Sequence, residues 1–389
     1  MSGNTALFVD QSGEIGGAEL SMLDILIGRQ SCEQVALLAD GPFAKRLQDA
    51  NIDVDVASLS IRVSKRSGLI AQLQAGPRIL SVARRIAGQA KKHNVLIANT
   101  QKAAVIAALG ARLGKRPMIW HLHDMLDAEH FSSANRRAVI ALTNRWGQHV
   151  ISNSKATDQA YRRAGGRLPS TVVYNGIDPT PFDAVSADAT TKIRQDLGIE
   201  EGVFLAGVFG RLTPWKGQHV LLDALERDGI DNVQMLCVGD ALFTDEDRRY
   251  AEGLRDRAAK GPLKGRVHFL GHRDDVPALM RACDTVVHTS SSPEPFGRVI
   301  VEGMLANKPV IATNAGGARE ILEDGETGLL VRPGDPRALH EAIKSLRSQP
   351  SDAQAMAQAG RERAERHFSV EQMVEGVNRV IAQAVEAYP

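Results

Sequence analysis

The sequence predicts an α/β protein made of two parallel-sheet domains in tandem, and three observations lead to this fold class. The chain has 389 residues, more than one hydrophobic core usually organises, so two domains of roughly 150–200 residues are expected. Short apolar segments alternate with segments of helical spacing, which is typical of a parallel sheet with helices on both faces. A turn-forming cluster, Asn-Gly-Ile-Asp-Pro at 175–179, lies near the middle. We therefore predict domains at residues 1–175 and 176–369.

The predicted strands divide between the two domains. In the first domain they are expected at residues 6–9, 35–39, 54–57, 95–99, 118–122, 149–153 and 171–174. In the second domain they are expected at residues 204–209, 233–238, 267–270, 285–288, 310–312 and 329–331. The last segment, residues 370–389, has the spacing of an amphipathic helix. Open parallel sheets bind ligands beyond the carboxyl ends of their strands, so we expect the two domains to face those ends toward a shared cleft.

The composition narrows the class of protein. Hydrophobic and charged residues make up 43% and 24% of the chain, which is ordinary for a globular protein, while only 4% aromatic residues argue against stacking on single-stranded nucleic acid. Cys32, Cys237 and Cys283 are far apart in apolar segments, so buried thiols in a reducing compartment are expected. The first ten residues are too quickly polar for a signal peptide, and no apolar run approaches the roughly 20 residues of a membrane span. The predicted location is the cytoplasm.

The charge is distributed unevenly along the chain. Residues 1–175 contain 22 Lys and Arg against 13 Asp and Glu, and residues 176–389 contain 25 against 33. Many of the basic residues fall in one stretch, namely Arg62, Lys65, Arg66, Arg78, Arg84, Arg85, Lys91 and Lys92. Two interpretations stay open: a surface at the inner face of an anionic membrane or against an anionic acceptor, or a solvated helix face. No recognition motif for nucleic acid accompanies the charge.

The strongest functional pattern is Ser-Pro-Glu-Pro-Phe-Gly-Arg-Val-Ile-Val-Glu at residues 292–302. It follows a predicted strand, and a helix is expected to begin near Gly297. The first N–H groups of a helix are unpaired and carry positive partial charge, which suits a phosphate. Glu294 and Glu302 can then reach hydroxyl groups on opposite sides of a bound diphosphate. The alternative is that both carboxylates only cap and solvate the helix.

A second pattern is Gly-Val-Phe-Gly-Arg-Leu-Thr-Pro-Trp-Lys-Gly at residues 207–217, between a buried strand and a helix. Arg211 and Lys216 lie on one tight loop. An Arg binds phosphate through two parallel hydrogen bonds, and a Lys acts as a point charge. The loop can therefore neutralise a diphosphate and the charge that develops as it departs, although two cations on a surface loop are common.

A third pattern, Gly-Glu-Ile-Gly-Gly-Ala-Glu at residues 13–19, follows the first strand. Gly16 and Gly17 are similar to a phosphate-binding loop, but the pattern is weaker than the dinucleotide fingerprint and lacks its acidic residue. Dinucleotide binding by the first domain is therefore disfavoured.

Two histidines and two aspartates raise the question of a metal. His121 and His123 share one face of a predicted strand, but a zinc site would need a third ligand that the sequence does not place. A hydrogen bond from one histidine to a sugar hydroxyl or a backbone carbonyl, or simple core packing, is favoured instead. Asp53-Val-Asp55 matches the D-x-D pattern of metal-dependent sugar transferases but lies inside an alternating strand. We therefore predict no bound metal and no cofactor.

Taken in order, these segments resemble the retaining glycosyltransferases of GT-B fold, specifically family 4. The resemblance spans nearly the whole chain, and the ordered series is more specific than any of its parts. It comprises Gly-Gly-Ala-Glu at 16–19, His-Asp at 123–124, Ser-Asn-Ser-Lys at 152–155, Val-Tyr-Asn-Gly-Ile-Asp at 173–178, Gly-Arg at 210–211 with Lys-Gly at 216–217, Phe-Leu-Gly at 269–271, the Glu pair at 294 and 302, Ala-Gly-Gly at 315–317 with Glu320, and Thr-Gly-Leu-Leu at 327–330.

The resemblance implies roles for residues of the second domain, which binds the donor in this family. The donor diphosphate is expected to bind Arg211 and Lys216, and the ribose is expected to bind Glu302. The transferred sugar and its phosphate are expected to contact Glu294 and the backbone of Phe296, Gly297 and Arg298. The base is expected to contact mainly backbone, near His272 and Arg273.

The resemblance also implies roles for the first domain and for the mechanism. His123 is expected beneath the donor sugar, Gly16 and Gly17 are expected near the diphosphate, and the C-terminal helix is expected to cross back onto this domain. The family retains the anomeric configuration without a divalent metal, by a front-face reaction in which the donor phosphate helps to deprotonate the acceptor. The expected substrates are a UDP- or GDP-hexose donor and a saccharide or lipid-linked acceptor, in the synthesis of cell-surface polysaccharide, lipopolysaccharide or glycolipid.

Three positions depart from the usual family pattern. Gly303 stands where Ala is usual, Ala-Asn-Lys at 306–308 replaces a small-residue turn, and Arg298 replaces an apolar residue. Arg298 lies beside the expected diphosphate, so the sugar preference of the enzyme stays open. Two other functions are considered: a nucleotide-sugar epimerase of the same fold, and a non-enzymatic two-lobed binding protein.

Overall fold

The computed structural model describes residues 4–29, 33–58, 69–127, 132–242 and 244–388. Contacts within the chain divide it into two compact units, Met1–Gly176 with Val370–Pro389, and Ile177–Ser369. The predicted boundary, between residues 175 and 176, lies one residue away. Cys32 and three basic residues, Arg62, Lys65 and Arg66, lie outside the described residues. Cys237 and Cys283 are buried free thiols.

The first unit contains a seven-stranded sheet whose described pairings are all parallel. Its strands are β1 (Ala6–Asp10), β2 (Gln34–Leu37), β3 (Asp53–Val56), β4 (Val95–Ala98), β5 (Met118–Leu122), β6 (His149–Ser152) and β7 (Ser170–Val172). Between them lie α1 (Gly17–Arg29), α2 (Pro42–Asp49), α3 (Leu69–Ala90), α4 (Gln101–Gly114), α5 (Ser133–Trp146) and α6 (Lys155–Arg163). The strand order is β3-β2-β1-β4-β5-β6-β7, so the order reverses between β1 and β4, where ligands bind in open α/β sheets.

The second unit repeats this plan with six parallel strands. They are β8 (Phe204–Phe209), β9 (Val233–Val238), β10 (Val267–Gly271), β11 (Thr285–His288), β12 (Val310–Thr313) and β13 (Leu329–Val331). The helices are α7 (Thr180–Asp183), α8 (Ala187–Asp196), α9 (Gln218–Leu225), α10 (Asp245–Ala258), α11 (Val276–Ala282), α12 (Arg298–Leu305), α13 (Ala318–Ile321), α14 (Pro336–Ser348) and α15 (Pro350–His367). The order is β10-β9-β8-β11-β12-β13, which places the reversal between β8 and β11.

The predicted fold class, two Rossmann-like α/β domains, is confirmed. Each predicted strand is present, with ends within two residues of those expected. Periodicity succeeds because the central strands are buried on both faces and therefore stand out as continuous apolar runs.

The two faces of the first sheet are covered by different helices. Along β1, Ala6 and Phe8 belong to one core cluster with residues of α1, while Leu7 and Val9 belong to the other cluster with residues of α3 and α4. This alternation follows from the two-residue period of a strand. Helices pack on both faces of a parallel sheet, and each of the two clusters forms the core on one face.

The last helix, α16 (Val370–Glu386), belongs to the first unit. Its residues Met373, Val377 and Ile381 are about 1% exposed and join the cluster that contains α1. A fourth residue, Gly376, approaches Val173 so closely that an added Cβ would lie 2.9 Å from a Val173 methyl carbon. The C-terminal segment therefore forms part of the core beneath the first sheet.

No helix among the described residues combines the length and apolar character that a bilayer crossing requires.

His121 lies in the core of the first unit. It is 1% exposed on β5, and within the described part of the chain neither ring nitrogen has a hydrogen-bond partner. Burial lowers the pKa of His121 from 6.5 to about 3, because the imidazolium would lose its hydration.

We predict that His121→Leu makes the first unit less sensitive to acid. In the wild type, His121 takes up a proton below pH 6.5 when the chain is unfolded but stays neutral to about pH 3 when the chain is folded. The free energy of unfolding therefore decreases as pH is lowered from 6.5 toward 3. From pH 7 to pH 5 the wild type should lose about 2 kcal/mol more free energy of unfolding than the variant. Urea unfolding in a Trp215→Phe background leaves Trp120 and Trp146 as fluorescent reporters of this unit. Equal pH dependence in the two proteins would contradict this assignment.

Candidate active site

Two loops of the second unit meet where its strand order reverses. Residues 210–217 follow β8 and residues 289–297 follow β11, and these two strands are neighbours. The backbone N–H of Ser291 donates to the carbonyl oxygen of Trp215 at 2.8 Å, and the Thr289 hydroxyl donates to the carbonyl oxygen of Lys216 at 2.8 Å. The loop of residues 210–217, predicted to bind phosphate, is therefore hydrogen-bonded to the loop of residues 289–297, which we call the carboxylate loop.

Gly217 allows this close approach. Its φ is +70°, and a Cβ at this position would lie 2.1 Å from the carbonyl oxygen of Thr289. Only glycine combines that conformation with that clearance. The turn consequently holds Lys216 directly against the second loop.

Glu294 is the centre of the resulting cluster. Its Oε1 accepts from Lys216 Nζ at 2.6 Å, from His288 Nε2 at 2.8 Å and from the Ser290 hydroxyl. Glu294 is 6% exposed. A buried carboxylate is stable only when charge and hydrogen bonds replace its hydration, and here three donors converge on one oxygen.

The ionised form of Glu294 is strongly favoured. Burial alone would raise its pKa, but the charges of Lys216 and His288 and their hydrogen bonds outweigh burial and hold the pKa well below 4.5. The stabilisation that these partners provide is therefore present above pH 4.5 and is lost only as pH falls through the lowered pKa. Glu294 is an anion at neutral pH.

The sequence patterns did not single out His288, Ser290 or Thr313 as site residues. His288 is the last residue of β11 and is 5% exposed, and its Nδ1 lies 3.3 Å from the Thr313 hydroxyl at the end of the neighbouring strand β12. A histidine at the end of a short, buried strand was the available signal, since such positions lie at the ligand-binding edge.

A glycine pair packs beneath the carboxylate loop. Gly316 has φ +58°, and a Cβ there would lie 2.2 Å from the carbonyl oxygen of Glu294; a Cβ on Gly317 would lie 2.5 Å from that of Phe296. The Gly317 N–H donates to the Glu294 carbonyl oxygen at 2.9 Å. The Ala-Gly-Gly segment thus supports the backbone of residues 294–296.

The helix predicted after Phe296 is present as α12. Gly297 is its N-cap with φ +102°, and Arg298 Nε lies 3.5 Å from Glu302 Oε1 one turn along. The Phe296 side chain is 2% exposed and packs edge-to-face on Phe368, with centroids 5.7 Å apart. The Phe296 side chain is therefore part of the core, and a backbone contact of Phe296 with the donor stays a prediction.

Gly303 explains how α12 reaches the sheet. A Cβ at this position would lie 2.9 Å from Val286 Cβ on β11 and 3.0 Å from a Val310 methyl carbon on β12. The departure from Ala at this position therefore accompanies a close approach of α12 to the two strands.

Arg211 and Lys216 both lie against the indole of Trp215. The guanidinium carbon is 5.9 Å and the ammonium nitrogen 4.6 Å from the ring centroid. Both distances are within the range of cation–π attraction. The structure thus places the two predicted phosphate-binding cations around one aromatic ring.

His272 and Arg273 lie in the loop after β10, at the edge of the sheet. The His272 side chain is 76% exposed and lies 3.7 Å from Asp274, and Arg273 forms a paired hydrogen bond with Asp275 at 2.6 and 2.7 Å. β10 is two strands away from β8. The described contacts of these residues are with their own neighbours.

In the first unit, Gly16 directly precedes α1 and Gly17 belongs to its first turn. The Gly16 N–H donates to Glu19 Oε2 at 3.0 Å, and Gly17 is the first residue of the helix. Burial, with the nearby Asp10 charge, raises the pKa of Glu19 to about 7. This turn therefore carries a carboxyl group that titrates near neutrality, a feature that the glycine pattern alone does not reveal.

His123 lies at the carboxyl edge of the first sheet among other buried polar groups. It is 8% exposed, with Nε2 2.9 Å from Asn99 Oδ1 and Nδ1 3.4 Å from Asn153 Nδ2. Asn99 also donates to Asp10 at 2.7 Å. Burial, opposed by hydrogen bonds, raises the pKa of Asp10 to about 6. The sequence patterns gave a role to His123 but none to Asp10, Asn99 or Asn153.

The residues that the structure describes include no group of three or more His, Cys, Asp or Glu side chains that could hold a metal ion. Asp53 and Asp55 lie within β3. Asp53 accepts from Gln34 at 2.7 Å, and Asp55 accepts from Arg85 and from Gln89, the latter at 2.5 Å. The D-x-D pattern is therefore occupied by contacts with the neighbouring strand and α3.

Comparison with known proteins assigns the class. Residues 189–363 match the family described as Glycosyl transferases group 1, and residues 43–180 match Glycosyltransferase Family 4. Together with the two Rossmann-like sheets, these matches define a glycosyltransferase of GT-B fold.

Individual proteins similar to this chain support the same family. The crystal structure of Anabaena HepE in complex with UDP-glucose is 38% identical, covers 98% of this chain and 100% of that one, and superposes with a TM-score of 0.88. The phosphatidyl-myo-inositol mannosyltransferase of Mycobacterium leprae is 29% identical over 79% of each chain. The lipopolysaccharide core biosynthesis mannosyltransferase LpsB of Rhizobium meliloti is 26% identical over 64% of this chain and 70% of its own. The chain belongs to glycosyltransferase family 4.

We predict that Lys216 and Glu294 are energetically coupled. A double-mutant cycle of Lys216→Met and Glu294→Gln should give a coupling of about 2–3 kcal/mol in the free energy of unfolding, because removing one partner leaves a buried charge uncompensated. The matched control is the pair Arg248 and Asp245, whose side chains are 58% and 77% exposed and should couple by less than about 1 kcal/mol. Urea unfolding measures both couplings. Equal values would contradict a buried, energetically important ion pair between Lys216 and Glu294.

Proposed function

We propose that the protein is a retaining, metal-independent glycosyltransferase that moves a hexosyl group from a nucleoside diphosphate sugar to a saccharide or lipid-linked acceptor. The observation that carries the proposal is the cluster of Lys216, Glu294 and the start of α12 at the point where the second sheet reverses its strand order. The structure of HepE with UDP-glucose supports UDP as the nucleotide, with GDP as the other candidate.

The diphosphate binds Arg211 and Lys216 and rests against the amino end of α12. Lys216 is well placed because its ammonium group lies at the junction of the two loops, 2.6 Å from Glu294. Positive charge at this point stabilises the negative charge that grows on the departing diphosphate, and the helix N-terminus adds its partial charge. Both groups act more strongly in the transition state than in the ground state.

Glu294 orients the transferred sugar. The described contacts of its carboxylate all fall on Oε1, so Oε2 is the oxygen available to accept from sugar hydroxyls. Glu302, held near Arg298, binds the ribose, and backbone groups near His272 and Arg273 contact the base. No protein nucleophile is assigned, since a front-face reaction requires none.

His123, Gly16 and Gly17 are the substrate-contacting residues proposed for the first unit. His123 binds a sugar hydroxyl, and the two glycines allow the backbone at the start of α1 to approach phosphate. The buried setting of His123 supports a fixed orientation, which is what positioning a substrate requires.

The acceptor belongs to cell-surface polysaccharide, lipopolysaccharide or glycolipid synthesis. The names of the mannosyltransferase relatives support this assignment. Arg78, Arg84, Lys91 and Lys92 are exposed on and just after α3, which supports association with an anionic membrane surface. The cytoplasmic location stays a prediction.

The comparisons do not favour the alternative of a nucleotide-sugar epimerase. The relatives named above are transferases. Incubating the donor without acceptor tests this point, because an epimerase would isomerise the donor.

We predict that Lys216→Ala weakens UDP binding by at least about ten-fold, because a charge-assisted hydrogen bond to phosphate contributes roughly 1.5–3 kcal/mol. Calorimetric titration with UDP, GDP and ADP measures the effect and identifies the base. Lys264→Ala, an exposed lysine of the same unit, is the control and should bind as the wild type does. Wild-type affinity and turnover in Lys216→Ala would overturn the assignment of this loop.

We predict retention without a metal. With an α-linked nucleotide-hexose donor, the product should carry an α-linkage in its ¹H NMR spectrum, and the initial rate should be unchanged by a chelator. A β-linked product would contradict retention. Activity that is lost in chelator and restored by Mg²⁺ or Mn²⁺ would contradict metal independence.

A further inference from the structure

A continuous chain of buried polar groups crosses the carboxyl edge of the first sheet. Asp10 ends β1, and Asn99, His123 and Asn153 directly follow β4, β5 and β6, which are neighbours in that order. Their exposed fractions are 0%, 0%, 8% and 2%. At such burial the hydrogen bonds decide which way each group points.

The orientation of Asn99 is fixed by its two acceptors. Its Nδ2 donates to Asp10 Oδ2 at 2.7 Å and to the carbonyl oxygen of Ala18 at 3.1 Å. Rotating the amide by half a turn would place its oxygen against two other oxygens. Asn99 Oδ1 therefore faces His123.

The tautomer of His123 follows from this orientation. Because Asn99 Oδ1 can only accept, the hydrogen bond of 2.9 Å requires the proton on Nε2 of His123. In the neutral ring Nδ1 is then an acceptor, and it faces the Asn153 amide at 3.4 Å. That distance is at the long limit for a hydrogen bond.

The donors beyond His123 point the same way. Asn153 Oδ1 accepts from the Thr157 hydroxyl at 2.9 Å, and that hydroxyl accepts from Ser154 at 3.0 Å. Along this series of side chains, from Ser154 to Asn99, each donor thus points toward the Asp10 end of the series. The His121 ring packs against the His123 ring at an interplanar angle of 48°, with centroids 4.0 Å apart.

We propose that Asp10 and Asn99 are positioning residues that hold His123 as its Nε2–H tautomer, so that His123 presents Nδ1 as a hydrogen-bond acceptor for a hydroxyl of the sugar substrate. The hydroxyl replaces the long contact from Asn153. The proposal rests on the proposed function in one respect, that His123 contacts a sugar hydroxyl. A tautomer fixed in advance removes the free energy that a mixed population would cost on binding.

The tautomer is measured directly by ¹⁵N NMR of protein labelled at histidine. The His123 signals are assigned by their loss in His123→Gln. The wild type should show a protonated Nε2 and an unprotonated Nδ1 at pH 8. Asn99→Leu removes the acceptor and should abolish that preference, and Asp10→Asn, which conserves shape, should weaken it.

Kinetic measurements then distinguish a loss of His123 positioning from a general loss of folded protein. Asn99→Leu should lower kcat/KM for transfer by about two-fold or more, since about half of the rings would then carry the other tautomer, with a smaller loss in Asp10→Asn. UDP affinity should change little in Asp10→Asn, because Arg211, Lys216 and Glu302, the side chains proposed to hold UDP, all lie in the second unit. Asn135→Leu, at an exposed position of the same unit, is the control and should match the wild type in both measurements.

Three outcomes are decisive. A wild-type His123 protonated at Nδ1 overturns the proposal, whatever the enzyme transfers. A wild-type tautomer and rate in both Asn99→Leu and Asp10→Asn overturn it as well. If instead the wild type shows the Nε2–H signal but transfers no sugar, the proposed function fails while the tautomer assignment stands.

Discussion

The second unit depends on one interaction, the ion pair between Lys216 and Glu294. A carboxylate that is 6% exposed is stable there only because Lys216, His288 and Ser290 converge on it. The same contacts tie the loop after β8 to the loop after β11. One buried anion therefore organises two segments that are more than seventy residues apart in sequence, and it draws the cation to the edge of the sheet where an anionic ligand is expected.

Both units use the reversal of strand order, but with different chemistry. In the second unit the edge carries Lys216 and an ionised glutamate. In the first unit the edge carries buried carboxyl groups with raised pKa values, Asp10 and Glu19, and a chain of amides and one imidazole. The charged groups of the second unit suit phosphate. The amides and the imidazole of the first unit suit hydroxyl groups, which exchange hydrogen bonds without requiring charge. The topology is shared, while the residues at the strand ends set what each unit can bind.

Sequence reasoning recovered the strands, the domain class and the Lys216 and Glu294 loops because each leaves a local pattern: buried strands are continuous apolar runs, and tight loops need glycine. It gave no role to His288, Asp10, Asn99 or Asn153, although Asn153 lies in the Ser-Asn-Ser-Lys segment at 152–155. Each of these is a single polar residue at a strand end, and its partners come from other strands, as in the contacts of Asn99 with Asp10 and His123. Such contacts depend on strand order, which spacing along one chain does not encode.

The placement of α16 has a consequence for biosynthesis. Met373, Val377 and Ile381 complete the core beneath the first sheet, yet they follow the whole second unit in the sequence. The second unit, Ile177–Ser369, is contiguous and can finish folding as it emerges. The unit that is translated first must keep one apolar face uncovered until residues 177–369 have been made, so its core closes only after the second unit has been synthesised.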